Sequence, residues 1–192
     1  MTVTRYISPG SPSCVLGVMD TERGRKIAAD MRRWLLPHYD IHQILHDGSL
    51  YEQPALAYMQ KLCIETNRPC LYIHARGACH FWNTTKPSWR MWEREFVDDR
   101  DRYLSIVNSK KPVAACPFTG PLKHTWYNGF MANAAAMAAI PPIQPNEDRY
   151  VFEDIFRDSP VIVVGTIFDD ITPETLPKAR GYMLNTDRKS VV

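Results

Sequence analysis

Residues 14–20 read CVLGVMD, an unbroken apolar run closed by Asp20. Such a run predicts a strand buried on both faces, with a polar tip where the chain leaves the core. Over 22–36, Ile27, Met31, Trp34 and Leu35 recur at i, i+4, i+7 and i+8, the stripe of an amphipathic helix that Pro37 stops. Residues 40–45 predict a second strand. In YEQPALAYMQKLCIETN (51–67), Pro54 opens a helix whose inner stripe is Leu56, Met59, Leu62 and Cys63. CLYI (70–73) is a third strand, and it breaks abruptly into His74, Arg76 and Gly77.

The longest helical pattern runs from about Ser88 to Val107, with Trp89, Trp92, Phe96, Tyr103 and Val107 along one side. VAAC (113–116) and GFMA (129–132) predict short strands. Asn133 caps an Ala-rich helix ending at Pro141-Pro142, a helical stretch surrounds Tyr150–Phe156, and VIVVGTIF (161–168) is a last strand. The lead MTVTRYISPGSPS is rich in Pro, Ser and Gly, and the tail 169–192 predicts irregular chain. With no internal repeat and no low-complexity linker, residues 1–192 form one domain, its core from about 14 to 168.

Strands alternating with helices predict an α/β sandwich around a mainly parallel sheet. In such sheets a ligand sits at the carboxyl ends of the strands. That rule gathers Asp20, the loop near Asp47 and His74–Gly77 at one edge.

Composition narrows the function classes. The net charge of +2 is too small to point to nucleic acid or an anionic membrane. No apolar run approaches the roughly 20 residues that span a bilayer. The N-terminus lacks the charged start and apolar core of a secretion signal, so the expected location is the cytoplasm. Five cysteines without C-x-x-C spacing fit reduced thiols better than a disulfide framework. None of the glycine-rich phosphate loops, the G-x-S-x-G elbow or H-E-x-x-H is present.

Several clusters carry two readings each. His38, His42 and His46, spaced by four, share one face of a strand; they could ligate a metal or, more simply, make hydrogen bonds. Cys79-His80 beside His74 is a weaker zinc pattern. Arg76 offers a planar fork of donors suited to phosphate or carboxylate, and Gly77 permits close backbone approach. Lys86 and Arg90 follow, Arg90 near a helix start where the dipole favours anions. The alternative is a loop arginine in a surface ion pair. Glu147, Asp148, Glu153 and Asp154 form either a solvated acidic face or a site with one functional carboxylate. WYNGFMA (126–132) sets aromatics beside Asn128 and Gly129, which suits a sugar ring or an ordinary core edge.

Taken together, these motifs resemble a bacterial family of glycosyltransferase-like proteins with a compact GT-A-type fold, many linked to cell-wall or capsular polysaccharide genes. YEQPAL (51–56) is similar to the family's Y-E-x-P-[TA]-L, and YIHARG (72–77) to its Y-x-H-T-K-G. SWRMWEREFV (88–97) corresponds to a Trp-Arg-containing helix, YNGFMA (127–132) to G-N-F-W-W-A, and RYVFEDIF (149–156) to R-Y-x-x-E-x-W-I. The similarity covers about Cys14 to Ile167. It departs at Ala75-Arg76 in place of Thr-Lys, and at Phe130-Met131 and Ile155-Phe156, where tryptophans are lost.

The resemblance implies a GT-A-like three-layer sandwich that transfers a sugar from a nucleotide-sugar to a glycan acceptor. GT-A enzymes commonly end the strand equivalent to CLYI in Asp-x-Asp, which holds a divalent metal such as Mn or Mg on the donor diphosphate. Here His74-Ala75-Arg76 stands there, so the expectation is transfer with no metal required. Arg76 would meet the diphosphate, His74 would hydrogen-bond beside it, and Glu153 would activate the acceptor hydroxyl. Asp20 and Thr21 would approach the nucleoside, with Gly77, Arg90, Asn128 and Gly129 completing the substrate contacts. The alternative is a non-catalytic nucleotide- or glycan-binding module on the same fold. An anion-binding domain without sugars is a third reading.

Overall fold

A computed structural model of the chain describes residues 1–50, 52–75, 94–120, 123–125, 129–146, 152 and 154–168. Its strands are β1 (Thr2–Tyr6), β2 (Ser13–Met19), β3 (Asp40–His46), β4 (Cys70–His74), β5 (Val113–Gly120), β6 (His124–Thr125), β7 (Phe130–Ala132) and β8 (Ile162–Phe168). The helices are α1 (Glu22–Leu35), α2 (Gln53–Thr66), α3 (Arg100–Val107) and α4 (Ala134–Ala138).

The strands form one mixed sheet in the order β1-β3-β2-β4-β7-β5-β6, with β8 also paired to β5. The middle is parallel: β2 runs alongside both β3 and β4. Because β7 is antiparallel to both β4 and β5, and β8 is parallel to β5, the strands β2, β3, β4, β5 and β8 all point one way. The α/β architecture expected from the alternation is therefore present, but the sheet is mixed because β1, β6 and β7 run against the rest.

Helices cover both faces, and alternation along each strand divides the core between them. On one face Val15, Ile44, Tyr72 and Phe130 meet Leu56 and Met59 of α2 and Met137 of α4. On the other, Leu16, Val18, Ile41 and Ile73 meet Ile27, Met31 and Leu35 of α1, with Phe96, Tyr103 and Val107. Thr21 caps α1 by accepting from the Gly24 N–H at 2.9 Å, and Glu22 in the first turn suits the helix dipole.

Three local expectations change. The sheet begins before the core expected from about residue 14: Thr2–Tyr6 alternates and is partly β-branched, and it adds antiparallel strand β1 outside β3. The long helix is interrupted. Residues 94–98 are helical, Asp99 departs from helical dihedrals at φ −118°, ψ 29°, and α3 follows. Of the stretch over Tyr150–Phe156, the described residues form a 3₁₀ turn at 152 and 154 and a further turn at 155–158. The Asn133 cap stands, accepting from the Ala136 N–H at 2.8 Å.

Candidate functional site at the carboxyl edge of the sheet

The parallel trio β3-β2-β4 brings its carboxyl ends together. Gly17 of β2 lies beside His74 of β4, and Met19 lies beside His46 of β3. The pairing continues past the strands: the Asp20 N–H donates to His46 O at 2.6 Å and the Ala75 N–H to Gly17 O at 2.8 Å. Asp20, the His46–Ser49 loop and His74 therefore share one edge, as the crevice rule requires.

Each loop at that edge has a local cause. Gly48, at φ +85°, adopts the left-handed conformation that glycine tolerates, and its N–H donates to His46 Nδ1 at 3.2 Å. That bond leaves Nε2 as the protonated nitrogen of a neutral His46, and burial lowers the pKa of this imidazole. Asp47 Oδ1 accepts from the Ser49 N–H at 2.9 Å and its hydroxyl at 2.6 Å, an Asx turn that lowers the carboxyl's pKa. Arg25 Nε donates to Asp20 Oδ1 at 2.6 Å, and this bond lowers the Asp20 pKa.

Gly17 admits a close approach. A Cβ built there would sit 3.1 Å from the Ala55 Cβ, 3.2 Å from the Tyr72 hydroxyl and 3.5 Å from the His74 Cβ. The Tyr72 and His74 rings lie side by side, with centroids 6.2 Å apart at 28°. The strand tip is thus held from below by Tyr72 and from the side by the first turn of α2.

Of the residues expected at the site, Asp20, Thr21 and His74 are brought to one edge. The Thr21 side chain is occupied in capping α1. Gly129 precedes β7, whose register on β4 ends at Tyr72 opposite Phe130, so it lies toward the same end of β4. A Cβ at Gly129 would come 3.2 Å from the Phe96 ring, which gives this glycine a packing role. Arg76, Gly77, Arg90, Asn128 and Glu153 lie outside the described residues, as do Lys86, Cys79-His80, Glu147 and Asp148. Arg25 and Ser49 were not singled out from the sequence, and His46 was weighed there only within the histidine set 38, 42 and 46. The Asp-Gly-Ser turn after a predicted strand was the available signal.

A cavity of about 600 Å³ lies between the 140–146 segment and residues 152 and 154–159, with Asn146, Phe152, Asp154 and Arg157 in its wall. Gln60 and Gln53 place it. Gln60 Nε2 donates to the carbonyls of Met137, Ile140 and Pro141, and Gln60 Oε1 accepts from Ile143 N–H. Gln53 Nε2 then donates to Ile143 O at 3.2 Å. The segment so climbs α2 toward its first turn, the end next to the strand tips.

Among the described residues no three side chains of His, Cys, Asp or Glu group so as to hold a metal ion. His42 shares a face of β3 with His46, as expected, and is hydrogen-bonded to Tyr58. No described helix is long and apolar enough to cross a membrane. No protein-family model matches the chain, and no curated protein or solved structure matches it.

Proposed function

We propose that the chain is a GT-A-like glycosyltransferase domain that takes a nucleotide-sugar at the carboxyl edge of β3-β2-β4 and hands its sugar to a glycan acceptor. The observation that carries this reading is the convergence of Asp20, His46–Ser49 and His74 on that one edge. Asp47 and Asp20 are already anionic and hydrogen-bonded, and a carboxylate held below its ordinary pKa is a weak proton acceptor. They suit ribose or sugar hydroxyls better than base catalysis. The base assigned to the acceptor is Glu153, whose neighbours in the sequence, Phe152 and Asp154, line the cavity. Arg76, two residues beyond His74, takes the diphosphate in place of a metal-binding acid pair. The cavity beside α2, with both apolar and polar walls, is assigned to the acceptor.

A second reading, binding without transfer, is favoured by the engagement of both described carboxylates at the edge, Asp20 by Arg25 and Asp47 by Ser49. One experiment separates the two. Thermal shift with a panel of nucleoside diphosphates, with and without Mn²⁺ or Mg²⁺, is expected to raise the midpoint of the wild type without metal. Arg76→Ala is expected to lose that rise; equal shifts in both proteins would sink the role of Arg76. Release of sugar from a nucleotide-sugar, to an acceptor or to water, then supports transfer, while binding without release supports the module.

A further inference from the structure

We propose that β1 is an acid-released strap: Arg5 fastens it to Asp40, and protonation of His42, which lies between that ion pair and Tyr58, loosens it. β1 is the outermost strand on its side of the sheet and is mostly exposed, so few apolar contacts hold it. Its fastening is the ladder to β3, Arg32 set over the Tyr6 ring at 4.7 Å, and the fork of Arg5 on Asp40. In that fork Nε lies 3.3 and 3.2 Å from the two carboxylate oxygens and Nη2 lies 2.5 Å from Oδ2.

His42 is the register partner of Arg5 across the ladder and is only 5 % exposed. Its Nδ1 is 2.9 Å from the Tyr58 hydroxyl of α2. Its Nε2 is buried, makes no hydrogen bond among the described residues, and stands 3.9 Å from Asp40 Oδ2. The neutral ring fits this setting, with Nε2–H turned to the carboxylate and Nδ1 accepting from Tyr58. The groups facing it are Asp40 on its own strand, Arg5 from β1 and Tyr58 from α2. Tyr72 of β4 stands in the same row beyond Val15 of β2.

A second proton would go to Nδ1, and the Tyr58 hydroxyl would have to turn from donor to acceptor. The imidazolium would then compete with Arg5 for Asp40 and repel Arg5 across the ladder. Burial is the largest influence and lowers the pKa of this ring; Asp40 opposes it, and Arg5, the smallest of the three, lowers it further. The folded value therefore lies below the ordinary one. The stabilisation is fully present above about pH 6.5 and is lost as the pH falls below that value.

Hydrogen–deuterium exchange of the full chain, read as protection factors at about pH 7.5 and about pH 5, tests this directly. The wild type is expected to lose protection on acidification at residues 2–6 while α2 and β2 keep theirs. His42→Gln is expected to keep the same β1 protection at both pH values. Unchanged wild-type protection, or an equal loss in His42→Gln, would overturn the strap. Should His42→Gln fail to fold, the ¹⁵N titration of the wild-type imidazole decides. A midpoint below about 6.5, shared by Arg5 and Tyr6 resonances, supports the strap, and a midpoint at or above it overturns it.

Discussion

Gly17 sits in the middle of an apolar run, where the residues alone suggest a strand and nothing more. Its neighbours explain the missing side chain. Ala55 comes from α2 and Tyr72 from β4, and both reach within about van der Waals contact of the place a Cβ would occupy. Gly17→Ala would gain backbone rigidity, but the Ala55 Cβ at 3.1 Å is fixed to a helix backbone and can yield only if α2 shifts. A net loss of about 1–3 kcal/mol is expected in urea unfolding. Ala55→Gly in the same chain should recover part of it, so the double-mutant cycle should show coupling; strictly additive effects would mean that α2 does not press on this site. Such contacts explain what was hard to read from residues. His42 and His46 were rightly placed on one face by their spacing of four. The partner of His42 was illegible, because Tyr58 arrives from α2 through tertiary packing.

At the scale of elements, most strands and helices were legible because each carries its own period. α1 and the CLYI strand are examples: one repeats at helical spacing, the other is a short continuous run. β1 was missed because Pro9, Gly10 and Pro12 dominate the lead, while the alternation of Thr2–Tyr6 is too short to stand out. The break at Asp99 was missed because the apolar stripe crosses it, Phe96 and Tyr103 lying in the same core. The short α4 was legible for the opposite reason, a strong cap before an Ala-rich run. Asn133 does more than cap. Its Oδ1 also accepts from the Val113 N–H, and its Nδ2 donates to the carbonyls of Val107, Ser109 and Lys111. One buried amide thus ties the end of α3, the start of β5 and the start of α4 together. Asn133→Ala should cost about 3 kcal/mol, from the lost cap and the buried groups left unmet. Asn133→Asp keeps the cap acceptor but turns a carboxylate oxygen toward three carbonyls, so it should be no better than Ala in a thermal or urea melt. An Asp variant as stable as the wild type would show that the cap alone matters.

For the molecule as a whole, the parallel trio brings Asp20, the His46–Ser49 loop and His74 to one edge, and that gathering followed from the strand–helix alternation in the sequence. What pattern alone could not supply is the mixed character of the sheet. A three-residue strand, β7, enters between β4 and β5, linking β2, β3 and β4 to β5 and β8. If β7 joins the two sides, the sheet should unfold as one unit although its core lies on two faces. Leu16 and Phe130 test this, both fully buried and on opposite faces. Phe130 lies on β7 itself, edge-on to Phe156 at 5.1 Å and tilted against Tyr72 at 5.7 Å. Leu16→Ala should cost about 3 kcal/mol and Phe130→Ala about 4 kcal/mol. For a single unit each variant should shift one transition, with far-ultraviolet dichroism and tryptophan fluorescence coincident. If Phe130→Ala instead splits the transition in two, β5 and β8 are a separate folding unit leaning on the β3-β2-β4 trio. The edge carried by that trio, proposed for the diphosphate, would then be expected to bind it in the partly unfolded state as well, while the cavity assigned to the acceptor would be lost.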